Sequence, residues 1–196
     1  MSRISKIPVE NWDPELVSMT AADTATEIER GITRMLAHCP EMAKGVIGFV
    51  AAMKVNRALP ERLIELVRLR VAFHNQCRSC MAIRYSSAAD EINEQLVCSL
   101  ERPEEAQDLT ESERVALDLA DRFATDHLSI TDDRFANLKK YFNEAQIIEL
   151  MLNLALFVGM GRLAATLDMT EELPSSFQAA FGETVTPWGG APIQVS

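Results

Sequence analysis

The sequence is short of several things, and each shortage narrows what it can be. No apolar run reaches the ~20 residues that a membrane-spanning helix needs. The longest, Ile147 to Met160, is interrupted by Glu149, Asn153 and Gly159. Cations are scarce: 19 Lys and Arg stand against 29 Asp and Glu, a net charge of −10. That disfavours nucleic acid, whose phosphates need neutralisation by Lys and Arg, and it disfavours an anionic membrane surface. Gly and Pro number only eight each, too few for a disordered or low-complexity chain. No stretch keeps the alternation of a strand, and nothing recurs at solenoid spacing. There is no second C-x-x-C and no H-x-x-H pair. A zinc site would have to recruit His74, Cys39 or His38, so the chain is read as metal-free and without a cofactor.

What is present is ordinary globular composition, 47% hydrophobic and 24% charged over 196 residues. This suits one domain with its own core. The first residues, MSRISKIPVENWDPE, lack the apolar core of a secretory signal. The expected location is cytoplasmic, where disulfides are rarely structural and a C-x-x-C is more often catalytic or metal-binding.

Along the chain, residues 1–20 read as irregular, with Pro8, Trp12 and Pro14 tacking them to a surface. Ile28, Ile32, Met35 and Leu36 recur at helical spacing, and Pro40 stops that helix and opens the next, through Met42 to Met53. The segment Pro60–His74 is apolar on most sides and so predicts a buried helix. Asn75 ends it and is placed to cap the next, which is expected to run from Cys77 through Met81, Ile83, Tyr85 and Ala88. A short helix carries Ile92, Leu96 and Val97, and residues 101–109 form an acidic linker. Thr110 with Glu113, and Asn143 with Gln146, are capping pairs for two further helices, the second reaching about Met169. Thr131 caps a helix between them. The tail after Pro174, with Pro187, Gly189, Gly190 and Pro192, reads as a loop that could reach a neighbouring subunit. The reading is a single all-α domain over residues 1–196, its core about 21–169, a bundle of about eight helices.

The chemistry concentrates in the stretch from Pro60 to Glu91. Cys77 and Cys80 are three residues apart, hence on one face of a helix, in its first turn. A helix N-terminus there offers a thiolate up to ~2 kcal/mol, about 1.5 pKa units. Arg78 and Arg84 add positive charge, and Arg84 is expected on the same face as both cysteines. His74, three before Cys77, either reaches it or serves as a helix-end cation. Glu65 lies on the buried helix, where a carboxylate must be paired or have its pKa raised toward values useful for proton transfer. Arg62 and Arg68 are candidate partners. Cys39 and Cys98 read as packing residues, and His38 and His127 as helix-end residues near solvent. The nine methionines read as core filler.

Together these residues resemble the carboxymuconolactone decarboxylase superfamily, and within it the alkylhydroperoxidase D-like branch. The likeness rests on E-L-V-x-L-R-V-A-x-x-N-x-C-x-x-C, Glu65 to Cys80, with Glu65 twelve residues before Cys77. It extends to RMLAHCPEMA and to the two C-terminal stretches LTESERVALDLADRF and YFNEAQIIELMLNLALFVGMGRLAATL, covering about residues 30–168. The resemblance implies an all-α fold assembling as a dimer, trimer or hexamer. It implies a dithiol–disulfide cycle in which Cys80 attacks a hydroperoxide, Cys77 resolves the sulfenic acid, and Glu65 serves a proton relay. A thioredoxin-like or lipoyl-bearing thiol restores the pair. Arg84 and Ser79 stand where the peroxidase branch carries histidines. An arginine does not shuttle protons, but it can hold a thiolate or a carboxylate such as Glu65.

Three functions are weighed: a thiol-dependent peroxide reductase, a lyase or isomerase acting on a small acid or lactone through Glu65 and Arg84, and a non-catalytic redox sensor. Two helices apolar on more than one face also predict a homo-oligomer.

Overall fold

The computed structural model describes residues 2–178, 184 and 192–195, which form ten α-helices and one parallel pair of short strands. The N-terminal segment is more ordered than expected. Asp13 caps a helix, α1 (Pro14–Thr20), by accepting from the amides of Glu15 at 2.9 Å and Leu16 at 3.2 Å. Trp12, Leu16, Ala22 and Ala43 make a small separate core, and the Trp12 indole donates to the Ile7 carbonyl at 2.8 Å. The helix expected through Ile28–Leu36 is two short ones, α2 (Glu27–Arg30) and α3 (Thr33–Leu36). Gly31 separates them at φ 43°, a conformation that costs an L side chain and suits glycine.

The next helix, α4 (Pro40–Val55), begins with Pro40 in its first turn, where the missing N–H costs nothing. It packs on α1 and α3. The central helix is α5 (Glu61–His74), with Leu63 to Ala72 all buried. Pro60 is its N-cap. After α5 the chain enters α6 (Arg78–Ala82), then a strand β1 (Ile83–Tyr85), then α7 (Glu94–Ser99). The capping boxes expected at Thr110–Glu113 and Asn143–Gln146 open α8 (Glu111–Thr125) and α10 (Glu144–Leu167), with α9 (Asp132–Leu138) between them.

Helix α5 packs against both α8 and α10. Leu66, Val67, Leu69, Leu117, Leu150 and Leu154 meet in that core with 0% exposure. Each such side chain contributes about 1.5–3 kcal/mol by leaving water. By length and composition α10 could cross a bilayer. In the fold its Leu150, Leu154, Gly161 and Ala164 are buried, while Ile148, Leu152 and Leu163 remain exposed.

Two expectations fail around β1. The helix after Cys77 ends at Ala82 instead of continuing through Tyr85 and Ala88. The tail, expected as a loop leaving the subunit, returns: β2 (Ile193–Val195) pairs in parallel with β1, Ile83 opposite Ile193 and Tyr85 opposite Val195. The fold remains all-α in its architecture, with this one strand pair. Pro187, Gly189 and Gly190 lie outside the described residues.

Candidate functional site: a dithiol pair at the base of an apolar cleft

Helix α5 ends at Asn75, and Gln76 takes a left-handed conformation at φ 50° that swings the chain into α6. Such a backbone is uncommon for a residue that is neither Gly, Asn nor Asp, and its cost is borne by the surrounding packing. The turn makes Cys77 the N-cap of α6 and places Cys80 one turn later. Their sulfurs are joined in a disulfide, with Cα atoms 5.2 Å apart. The two cysteines differ in access. Cys77 is fully buried, with the Ser79 hydroxyl 3.6 Å from its sulfur. Cys80 is partly exposed and lines a cleft of about 430 Å³. Because α6 has only five residues, the dipole available to a thiolate is smaller than a full helix would supply.

The cleft runs between α4, α5 and α10, and its wall is largely apolar: Val46, Val50, Met53, Ile64, Leu156 and Met160. Glu65 reaches it from α5. The Glu65 carboxylate is gripped on both oxygens by Arg68, at 2.6 Å from Nε and 2.7 Å from Nη2. Burial works against the charge on Arg68, but the carboxylate beside it wins and holds the guanidinium pKa above its ordinary value. The same guanidinium donates to the Cys80 carbonyl at 2.7 Å and the Ile83 carbonyl at 3.0 Å, and lies 5.0 Å from the Tyr85 ring centre. Glu65 is thus tied to the cysteine turn through Arg68.

Arg84 does not share a face with the cysteines. Because α6 stops at Ala82, Arg84 falls on β1 and points into the protein, 4% exposed. It donates to both carboxylate oxygens of Glu94, at 2.9 and 3.1 Å, and to the Met81 carbonyl at 2.6 Å. It therefore staples α7 to the end of α6 and touches neither sulfur nor Glu65. His74 turns toward α8, not Cys77: its Nε2 lies 2.7 Å from Asp121 Oδ1, and Arg70 donates to the same carboxylate. Burial penalises the Asp121 charge, but these two partners outweigh it and hold its pKa below the usual carboxylate range. Asn75 does not cap α6. Its side-chain amide donates to the Phe157 carbonyl at 2.9 Å and its oxygen accepts from Arg162 at 3.2 Å, docking the turn on α10. Arg78 is buried, 3.9 Å from Asp168. Cys39 and Cys98 are free and exposed, not packed.

Sequence reasoning held Arg68 only as one of several arginines that could pair with Glu65, named Tyr85 only as a helix position, and passed over Asp121. Asp121 is 47 residues from His74, and no local pattern joins them.

The whole-chain likeness is structural. No protein-family model matches the sequence, and no curated protein matches it. The crystal structure of an alkylhydroperoxidase AhpD core, an uncharacterized peroxidase-related protein from Ralstonia eutropha JMP134, superposes with a TM-score of 0.73. It covers 90% of this chain and 94% of that one at 17% identity. This chain has the alkylhydroperoxidase D-like fold. A second structure of that fold is a protein of unknown function from Agrobacterium tumefaciens, proposed there as an antioxidant defence protein AhpD. It matches with a TM-score of 0.62 and 23% identity over 71% of this chain and 97% of that one.

Proposed function

We propose that this alkylhydroperoxidase D-like protein is a thiol-dependent peroxidase that reduces organic hydroperoxides through Cys80 and Cys77. The observation that carries the reading is the asymmetry of the pair: Cys80 meets the cleft, and Cys77 is sealed behind it within disulfide reach. The Cys80 thiolate takes the terminal oxygen of the hydroperoxide. The O–O bond breaks, the leaving alkoxide takes up the proton released when the Cys80 thiol ionised and departs as the alcohol, and Cys80 becomes a sulfenic acid. The Cys77 sulfur then attacks Cys80, the S–S bond forms and water leaves. A donor dithiol, thioredoxin-like or lipoyl-bearing, exchanges into the disulfide, returns two electrons and leaves oxidised. The same exposure argument directs the donor to Cys80. Arg68 and Glu65 act as positioning residues that hold the Cys80 turn. Glu65 relays a proton only if it loosens from Arg68.

An antioxidant role in the cytoplasm and a homo-oligomeric state belong to the same proposal. Met42, Phe49 and Val55 on α4 and Ile148 and Leu152 on α10 are exposed apolar side chains that a second copy would cover. The deciding experiment measures dithiol-dependent consumption of cumene hydroperoxide by wild type and by Cys80→Ser. Wild type turns over and the variant stays at background. Equal rates in both would end the reading.

A further inference from the structure

The cleft that reaches Cys80 has a second end with charge of its own. Along its wall most charges are matched. Arg68 is paired with Glu65, Arg30 with Glu27, and Arg34 with Glu27 and Glu172. At the C-terminal end of α4 and just beyond it, the solvent-exposed Lys54 and Arg57, which pairs with Glu61, both line the cleft. Arg57 gives one nitrogen, Nη1, to Glu61, while its Nε is buried with no partner among the described residues. No carboxylate among the described residues pairs with Lys54. At this end Glu61 holds Arg57 Nη1 and Glu149 accepts from the Ala58 and Leu59 amides, so neither carboxylate is bonded to Lys54.

The distance from this end to the sulfur is set by α5. Arg57 is bound to Glu61 at its start, and Arg68, seven residues on, is bound to the Cys80 carbonyl. Seven helical residues span ~10 Å. The cleft wall carries apolar Ile64, Val50 and Met53 and, between Glu61 and Arg68 on α5, the Glu65 carboxylate held by Arg68.

We infer that the cleft takes an elongated apolar molecule ending in a carboxylate, its anionic end held by Arg57 and Lys54 and its apolar body reaching toward Cys80. The occupant is thus an amphipathic acid, not a neutral hydrocarbon or a charged peptide. A guanidinium pairs readily with a carboxylate, and the Lys54 ammonium adds a second positive charge. As a substrate class this rests on the peroxidase reading: the molecule would carry its hydroperoxide at the Cys80 end. As a binding site it stands on the cleft alone.

The test therefore measures binding first. Titration calorimetry on the oxidised wild-type protein compares decanoate with methyl decanoate. Decanoate binds at least tenfold tighter, and Arg57→Gln with Lys54→Gln removes the difference while leaving the ester's affinity unchanged. Arg57→Lys retains part of the preference, which separates lost charge from disturbed folding. Equal binding of acid and ester to wild type overturns the inference, as does an acid preference that survives the double variant. Turnover is the second readout. An acid-bearing alkyl hydroperoxide shows a KM at least tenfold below that of its methyl ester, with kcat alike, and the double variant equalises them. Acid-selective binding without any turnover supports the site and counts against the peroxidase reading.

Discussion

Arg68 holds both oxygens of Glu65, at 2.6 and 2.7 Å, with a guanidinium that also donates to the carbonyls of Cys80 and Ile83. One buried arginine thus joins the middle of α5 to both ends of the short segment from Cys80 to Ile83. Removing either member of a buried pair strands the other's charge, at a cost of about 3–5 kcal/mol. Glu65→Gln and Arg68→Leu should each lower the unfolding free energy, measured by denaturant titration, by an amount of that order. The double variant Glu65→Gln/Arg68→Leu should recover part of the loss. Additive losses in a double-mutant cycle would show that the two residues act separately.

The exposure of the two sulfurs assigns their order of attack under the proposed chemistry. Cys77→Ser should leave Cys80 as a sulfenic acid after one equivalent of hydroperoxide, trapped by a dimedone-type reagent and located by mass spectrometry at Cys80. Cys80→Ser should give no label at Cys77, whose sulfur is buried. Label at Cys77 would reverse the roles.

Asp121 predicts an acid-dependent loss of stability. Its pKa is depressed in the folded state by His74 and Arg70 in spite of burial. A depressed folded pKa contributes stability above the ordinary carboxylate pKa of ~3.9, and that contribution is lost as pH falls through the folded value. Asp121→Asn should therefore be destabilised at pH 7, and the gap to wild type should close below about pH 4. A gap constant from pH 7 to pH 3 would remove Asp121 as its source.

Gly161 brings α10 against Asn75 in the cysteine turn. A Cβ at this position would collide with the Asn75 side-chain amide, which is already committed to the Phe157 carbonyl and to Arg162. Gly161→Ala should cost about 1–3 kcal/mol through overpacking. Asn75→Ala in the same chain should relieve that clash, so the pair should be less than additive.

Arg84 separates a structural role from a catalytic one. It bonds Glu94 and the Met81 carbonyl and does not reach the sulfurs. Arg84→Lys loses the two-bonded grip and should lower the melting temperature, while kcat and its pH profile for hydroperoxide reduction stay near wild type. A changed pH profile at unchanged stability would return Arg84 to the chemistry.

Much of the fold was legible because its signals are local. The capping pairs at Thr110 and Asn143, the prolines at positions 40 and 60, and the apolar surround of α5 each act within a turn or two of backbone. The cysteine pair is local too, since residues three apart on one turn lie within disulfide reach. The stretch from Met81 to Ala88 was not legible. Its apolar spacing is compatible with a helix, but pairing of β1 with a strand more than a hundred residues away overrides it and carries Arg84 off the cysteine face. The Asp121 partnership and the close approach of Gly161 to Asn75 also depend on how α8 and α10 dock on α5. Sequence by itself determined an all-α chain with a C-x-x-C downstream of a buried glutamate. Tertiary packing alone decided which sulfur faces a cleft, that Arg68 links Glu65 to the Cys80 carbonyl, and that Lys54 and Arg57 line the same cavity. Hydrogen bonds within a turn are set by neighbouring residues, whereas burial and long-range ion pairs depend on which helices meet.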